Sequence, residues 1–436
     1  MSESAWIGAV LTAARPRAVA ALLRYFRNLD MADEAFQEAS LRALRTWPKN
    51  GPPRDAAAWL IMVGRNAGID AVRRTSKQDP LPPEEVISDL TDVEAATVEQ
   101  IDSADYRDDI LRLLFTCCHP ELPATQQIAL ALRIVSGLSI KQIARAFLVG
   151  EAAMEQRITR AKARVADARV AFETPGAADR AERVAAVAAM IYLVFNEGYT
   201  TNVFEQGVKA TLCEEAIRLA RLLLGLYPTE PEIMGLAALL LLQHARAAAR
   251  FDPDGSAVLL DDQDRTRWNR TQIAEGLALI DKAVRHRRPG PYQVQAAIAG
   301  LHARAVRATD TDWGEIELLY GTLERMQPSP VITLNRSVAV SKARGPAPAL
   351  AMIEPLAGKL ASYFYFHGAR GAFLMELGRE PEARIAFDRA IALANTPAEA
   401  AHIRLQIDRL TAIDQGHARR SSQVRDLGTP DLGKDG

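Results

Sequence analysis

Apolar residues recur every three to four positions through most of this chain, and proline, glycine and charge collect in the stretches between. That period predicts helix after helix. Residues 5–27 form the first, ending in Arg24, Tyr25, Phe26 and Arg27. Residues 30–47, DMADEAFQEASLRALRTW, form the second, with Asp30 as N-cap and an apolar face of Ala35, Phe36, Ala39, Leu41, Leu44 and Trp47. Asp33, Glu34, Gln37 and Glu38 fall on its exposed face. After a Pro/Gly loop, residues 55–74 form the third, with Trp59, Leu60, Val63, Ala67, Ile69 and Val72 inward and Arg65, Asn66, Arg73 and Arg74 off that stripe. Further helices cover 106–118 and 124–136.

The stretch Leu138–Val165, LSIKQIARAFLVGEAAMEQRITRAKARV, carries the sharpest local pattern. Ile140, Ile143, Ala144 and Phe147 make a short helix behind Ser139 as N-cap. A break at Leu148-Val149-Gly150 leads to a second helix with Ala153, Met154, Ile158, Ala161 and Val165 on one stripe. Arg157, Arg160, Lys162 and Arg164 lie opposite. Two short helices, a tight turn and a basic second helix make a helix-turn-helix pattern sized for a major groove. A helical hairpin with a solvated basic face fits the same residues.

Charge strengthens the first reading. The net charge is only -1, but residues 1–78 hold 12 Lys+Arg against 7 Asp+Glu, and residues 126–172 hold 8 against 3. Between them, residues 79–125 hold 12 acids against Arg107 and Arg112. Two basic modules joined by an acidic tether predict two nucleic-acid-facing domains on one mobile chain.

Residues 182–420 are rich in alanine and leucine, with five similar helix starts: YPTEPEIMGLAALL, RPGPYQVQAAIAGL, QPSPVITLNRSVAV, LASYFYFHGARGAF and NTPAEAAHIRLQI. Their interval approaches the tetratricopeptide scale of about 34 residues. In 367–397, Gly371, Leu374, Gly378, Ala383, Phe387 and Ala390 occupy small and large positions like those of that repeat. Hairpins of this kind stack into a curved array, and a plain helical bundle is the alternative. ATDTDWGEI at 308–316 reads as a capped helix start.

The remaining chemistry is sparse. The residues Cys117-Cys118-His119 do not converge as metal ligands at helical spacing, which leaves buried thiols. DDQDR at 261–265 reads as a salt-bridged knot or as a carboxylate cluster. No phosphate-binding glycine loop, nucleophile elbow or histidine pair is present, so no enzyme and no cofactor are expected. No apolar run reads as membrane-spanning and no signal-peptide core follows Met1–Trp6, so a cytoplasmic location is expected.

DMADEAFQEASLRALRTW, AWLIMVGRNAGIDAVRR and the 138–165 stretch, in that order, resemble the sigma-70 family of bacterial transcription initiation factors, in its extracytoplasmic-function branch. One departure is Leu148, where most such turns have glycine; Gly150 follows two residues on. LRLLFTCCHPEL, YLVFNEGY, LLDDQDRTRWNR and the repeat region extend the likeness to a subgroup with a fused tetratricopeptide-like extension. Composition, dominated by alanine, leucine and arginine, predicts an all-α chain; with the charge pattern and the resemblance it divides into a sigma-2 domain (5–78), an acidic linker (79–105), a sigma-4 domain (106–172), a regulatory repeat domain (177–420) and a disordered tail (421–436). It implies that Asp33, Glu34, Gln37 and Glu38 face core RNA polymerase. It implies that Trp59, Arg65, Asn66, Asp70, Arg73 and Arg74 engage the minus-ten element of promoter DNA. In the second helix of the helix-turn-helix, Ala153, Glu155, Gln156, Arg157, Arg160, Lys162 and Arg164 would meet the minus-thirty-five element. The extension would take a protein or small-molecule signal in place of a separate anti-sigma factor. A helix-turn-helix regulator with a repeat-type sensor would dispense with the acidic face at 33–38, and a pure repeat scaffold would leave both basic blocks unexplained.

Overall fold

The computed structural model describes residues 3–75, 103–147, 149–167, 177–199, 206–252 and 258–394, with a few positions between 400 and 407. The fold is all-α, with no strand among the described residues. The chain divides into two compact units: Met1–Thr200 with Gly207–Tyr227, and Thr201–Gln206 with Pro228–Gly436. The acidic linker, apart from 103–105, and the 421–436 tail lie outside the described residues.

The first unit opens with α1 (Glu3–Phe26), α2 (Leu29–Asn50) and α3 (Ala56–Thr75). They pack on one another through Ala18, Val19, Leu22, Leu23, Ala32, Phe36, Ala39 and Leu60. Asn28, not Asp30, caps α2: its side chain accepts from the Met31 N–H at 3.0 Å, which moves the helix start back by one residue. Gly51, at φ +74°, ends α2 three residues beyond Trp47. The apolar face of α2 is narrower than its periodicity predicts. Leu41 and Leu44 are 50% and 45% exposed, because Ala39, Ala43 and Trp47 already fill the contact with the neighbouring helices.

Trp6–Phe26 within α1 is long and apolar enough to cross a membrane by length and composition, contrary to the reading of the sequence. Half of it is buried in this unit, and Arg15 near its middle makes buried hydrogen bonds to backbone and side chain, so it packs as a core helix.

Four helices follow: α4 (Ser103–Cys117), α5 (Ala124–Ile134), α6 (Ile140–Ala146) and α7 (Glu151–Asp167). Cys117 and Cys118 are buried at the end of α4, and burial pushes both thiols up, Cys118 to about 12. They therefore stay protonated at neutral pH. Then come α8 (Ala177–Tyr199) and α9 (Gln206–Leu226). Helix α8 packs on α4 and α5, with the Arg183 guanidinium 5.9 Å from the centre of the Phe115 ring.

The second unit holds α10 (Pro231–His244), α11 (Arg270–Val284), α12 (Pro291–Arg304), α13 (Trp313–Met326), α14 (Pro330–Arg344), α15 (Pro346–Ile353), α16 (Phe364–Glu376) and α17 (Glu380–Leu393). Four of the five similar starts open a helix, at Pro231, Pro291, Pro330 and Phe364; the fifth falls mostly outside the described residues. Proline suits the first helical position, where its missing N–H leaves nothing unsatisfied. Successive helices from α10 to α17 pack on one another, consistent with a helical repeat array. In the α16–α17 pair, the Phe387 ring packs directly against Gly371, where a Cβ would lie 2.5 Å from Cε1, and Gly378 at φ +71° makes the turn. Asp312 caps α13, accepting from the Glu315 N–H at 2.9 Å.

The DDQDR stretch is structural. Asp261 pairs with Lys342 at 2.9 Å, and Asp264 caps a short 3-10 turn by accepting from the Thr266 N–H at 2.9 Å. Arg265 is buried, stacks 4.8 Å from the Trp268 ring centre, and donates to the carbonyls of His302 and Ala305 at 2.5 and 2.9 Å. One guanidinium thus fastens the insert to the end of α12.

Candidate nucleic-acid interface

The helix-turn-helix forms as its sequence predicts. Ser139 accepts from the Gln142 N–H at 3.2 Å, and the Gln142 side chain accepts from the Ser139 N–H at 2.8 Å, a reciprocal cap. Helix α6 buries Ile143, Ala144 and Ala146, and α7 buries Met154, Ile158, Ala161 and Val165. Leu148 in the turn lies outside the described residues. Ala153 leaves the apolar stripe and is exposed, beside exposed Glu155, Gln156, Arg160 and Arg164. Arg157 and Lys162 are half-buried. Arg160 donates to Gln156 at 3.4 Å and Arg164 to Gln126 at 3.3 Å. Lys162 is drawn out of this group: its ammonium donates to Asp30 of α2 at 2.5 Å.

On α3, Asn66 and Asp70 are exposed, and the Arg65 guanidinium lies 4.4 Å from the ring centre of Tyr25, itself 47% exposed. Trp59 is half-buried and meets Trp47 edge-on at 5.3 Å. Arg73 and Arg74 belong to α3, but their side chains lie outside the described residues. An exposed tyrosine beside an arginine plane offers the stacking surface that unpaired bases use. The sequence marks Tyr25 only as part of a helix end, so its place beside Arg65 was not legible there.

The acidic face of α2 is split. Glu34, Gln37 and Glu38 are exposed, and Leu41 and Leu44 continue that surface. Asp33 does not belong to it, contrary to its periodicity: it is 3% exposed. The Arg15 guanidinium donates to Asp33 Oδ1 at 2.6 Å, Arg133 pairs with Oδ2 at 3.4 Å, and Gln37 donates to the same oxygen at 3.0 Å. Arg15 also donates to the carbonyls of Ile134 and Arg133, at 2.9 and 3.2 Å. Burial lowers the pKa of Arg15, and the Asp33 carboxylate offsets that only in part. Asp33 is buried because Arg15 of α1 and Arg133 of α5 both reach this edge of α2, and two guanidiniums and an amide satisfy its carboxyl group there.

Arg15 and Arg133 are the residues that sequence reading missed. The available signal was a charge inside an apolar helix, at Arg15 within LTAARPRAVAALL. The partner, far along the chain, leaves no local mark. Among the described residues no three His, Cys, Asp or Glu side chains form a metal-binding group.

Residues 10–78 match the family model for Sigma-70 region 2, and residues 112–165 that for Sigma-70, region 4. Residues 183–284 match a family of unknown function, DUF6596. The chain is 68% identical over 412 residues to the uncharacterized protein R00370 of Rhizobium meliloti (strain 1021), covering 94% of this chain and 97% of that one.

Proposed function

The chain belongs to the sigma-70 family of transcription initiation factors, and from that premise we propose that it binds core RNA polymerase, carries it to a specific class of promoters, and is regulated by its own C-terminal helices. The observation that supports this most is the pairing on one chain of a capped helix-turn-helix bearing Arg157, Arg160 and Arg164 with a three-helix module bearing Arg65, Asn66 and Asp70. The first suits a duplex groove, where cations hold phosphates and side chains meet base edges. The second suits a melted strand, where Tyr25 and Arg65 stack bases and Asn66 and Asp70 hydrogen-bond them. Glu34, Gln37 and Glu38, flanking exposed Leu41, form the polymerase face: an apolar centre with an acidic rim fits a basic partner surface. The chain supplies recognition and no catalysis of its own, and it acts in the cytoplasm, where polymerase and promoter are. The repeat array receives the signal.

Transcription in vitro with core RNA polymerase tests this. The full chain is expected to direct transcripts from discrete start sites, and Glu34→Arg with Glu38→Arg is expected to abolish them while helicity is unchanged. Charge reversal at Asp33 would test folding instead. A wild-type chain that binds duplex DNA but leaves polymerase without activity would overturn the reading in favour of a helix-turn-helix regulator.

A further inference from the structure

We propose that the second unit binds a small carboxylic acid at the free edge of the Arg265 guanidinium, where the insert at 258–269 meets the end of α12. The inference rests on the reading above only for its consequence: it names the chemistry of the signal that the repeat array takes.

Arg265 is 7% exposed, and its guanidinium is half used. Nη1 donates to the carbonyls of His302 and Ala305. Nε and Nη2 are buried and meet no acceptor among the described residues. Those two nitrogens make one planar edge with two parallel N–H groups, the shape that a carboxylate accepts in bidentate fashion. The acids nearby are committed elsewhere. Asp261 pairs with Lys342 at 2.9 Å, and Asp310 with Arg307 at 3.0 Å. Burial lowers the pKa of Arg265, and Asp261 and Asp310 oppose that without cancelling it, so the cation is under-compensated where it stands.

The free edge has company. The Arg265 guanidinium lies over the Trp268 ring, 4.8 Å from its centre, and the Trp268 indole N–H is itself buried without a partner. So are Nδ1 of His302, on the residue whose carbonyl Arg265 holds, and Oγ1 of Thr311, a residue 7% exposed. Thr311 follows the 3-10 turn Ala308–Asp310, which touches the turn Leu260–Asp262 of the insert. The His302 ring meets Trp313 edge-on at 5.2 Å, and the Lys342 ammonium that holds Asp261 lies 5.9 Å from the centre of the same indole. Contacts thus join the insert, the end of α12, the 308–313 turn and α14 around one cation.

Buried polar atoms without partners are costly, and native interiors hold few of them. Here five fall on four neighbouring side chains: two on Arg265 and one each on Trp268, His302 and Thr311. The arginine and indole N–H groups are donors only, so the occupant must accept hydrogen bonds, and a metal cation finds no ligand in them. His302, held neutral by burial and by Arg246 and Arg265, adapts by tautomer, and the Thr311 hydroxyl by rotation. Water satisfies hydrogen bonds but leaves the charge; a carboxylate answers both. A planar group with two oxygens and one charge matches one edge of one guanidinium, and a phosphate brings more of each.

The test uses the full chain without polymerase, titrated with sodium acetate, sodium succinate and sodium phosphate at an ionic strength held constant with chloride. The readout is the Trp268 indole N–H resonance, assigned by its loss in Trp268→Phe. Acetate or succinate is expected to shift it saturably, with a millimolar Kd as suits so small a ligand, and phosphate to bind more weakly. Arg265→Lys keeps the charge and loses the planar edge, and is expected to weaken carboxylate binding about tenfold or more. Should that variant loosen the insert, Thr311→Val decides: it is expected to weaken binding about three- to tenfold while the ligand-free chain stays at least as resistant to urea, because an unsatisfied hydroxyl has been removed. No saturable shift with either carboxylate overturns the site, as do tighter binding of phosphate and carboxylate affinity unchanged in both variants. Transcription with core RNA polymerase is measured separately. A chain that transcribes from discrete start sites but binds no carboxylate loses this site and keeps the sigma reading. One that binds carboxylate and leaves polymerase inactive keeps the site and loses that reading.

Discussion

Replacing Gly235 with alanine isolates how closely the repeat helices must approach. Gly235 lies in α10, and an added Cβ would sit 2.6 Å from the backbone nitrogen of Gln293 and 2.8 Å from its Cα, at the first turn of α12. Those atoms are backbone, so no rotamer change relieves the overlap, and the helices must part by most of an ångström. That separation also strains the cap on α12, where Glu232 accepts from the Tyr292 N–H at 2.6 Å and from the Gln293 side chain at 3.1 Å. Overpacking of this kind costs about 1–3 kcal/mol, here about 2–3 because backbone cannot yield as a side chain does, and alanine returns about 1 kcal/mol of helix propensity. The expected net loss is about 1–2 kcal/mol. It should appear as about 5- to 30-fold faster hydrogen exchange of the α12 amides under conditions where opening is at equilibrium. Gly358→Ala is the control. It lies in the same unit, its Cβ would meet nothing within 4 Å, and its φ is not left-handed, so it should stabilise by about 0.4–1 kcal/mol. Gly235→Ala with unchanged or slower exchange would refute the close approach of α10 and α12.

Three further outcomes are expected. His302 is held neutral, its pKa lowered to about 4 by burial and then by Arg246 and Arg265. A histidine depressed in the folded state contributes stability that is complete above about pH 6.5 and lost as pH falls toward 4, here about 3 kcal/mol at most; His302→Asn should flatten that part of the urea-stability profile of the second unit relative to wild type. Arg157→Ala in the holoenzyme should cost about 1–3 kcal/mol and relax preference at one base pair if it reads a base edge, whereas equal weakening on all sequences with a reduced salt slope marks a phosphate contact; unchanged affinity would mean the helix is wrongly placed. A chain ending at Tyr227 should keep the first unit folded, while one ending at 176 strips α8 from α4 and α5 and should melt at lower temperature.

The helices, the capped turn and the proline-led starts of the array were legible because each is fixed by residues within one or two turns. Ser139 and Gln142 complete their cap within four positions, and Pro231, Pro291 and Pro330 mark their own helices. What the periodicity misassigned was decided by contacts far along the chain. Asp33 reads as exposed from α2 alone and is buried because Arg133, a hundred residues later, comes to it. Leu41 and Leu44 read as core, yet the buried stripe of α2 runs through Ala32, Phe36, Ala39, Ala43 and Trp47, and at about 100° per residue both leucines point off it. Asp30 lost its capping role to Asn28 and took up Lys162 instead.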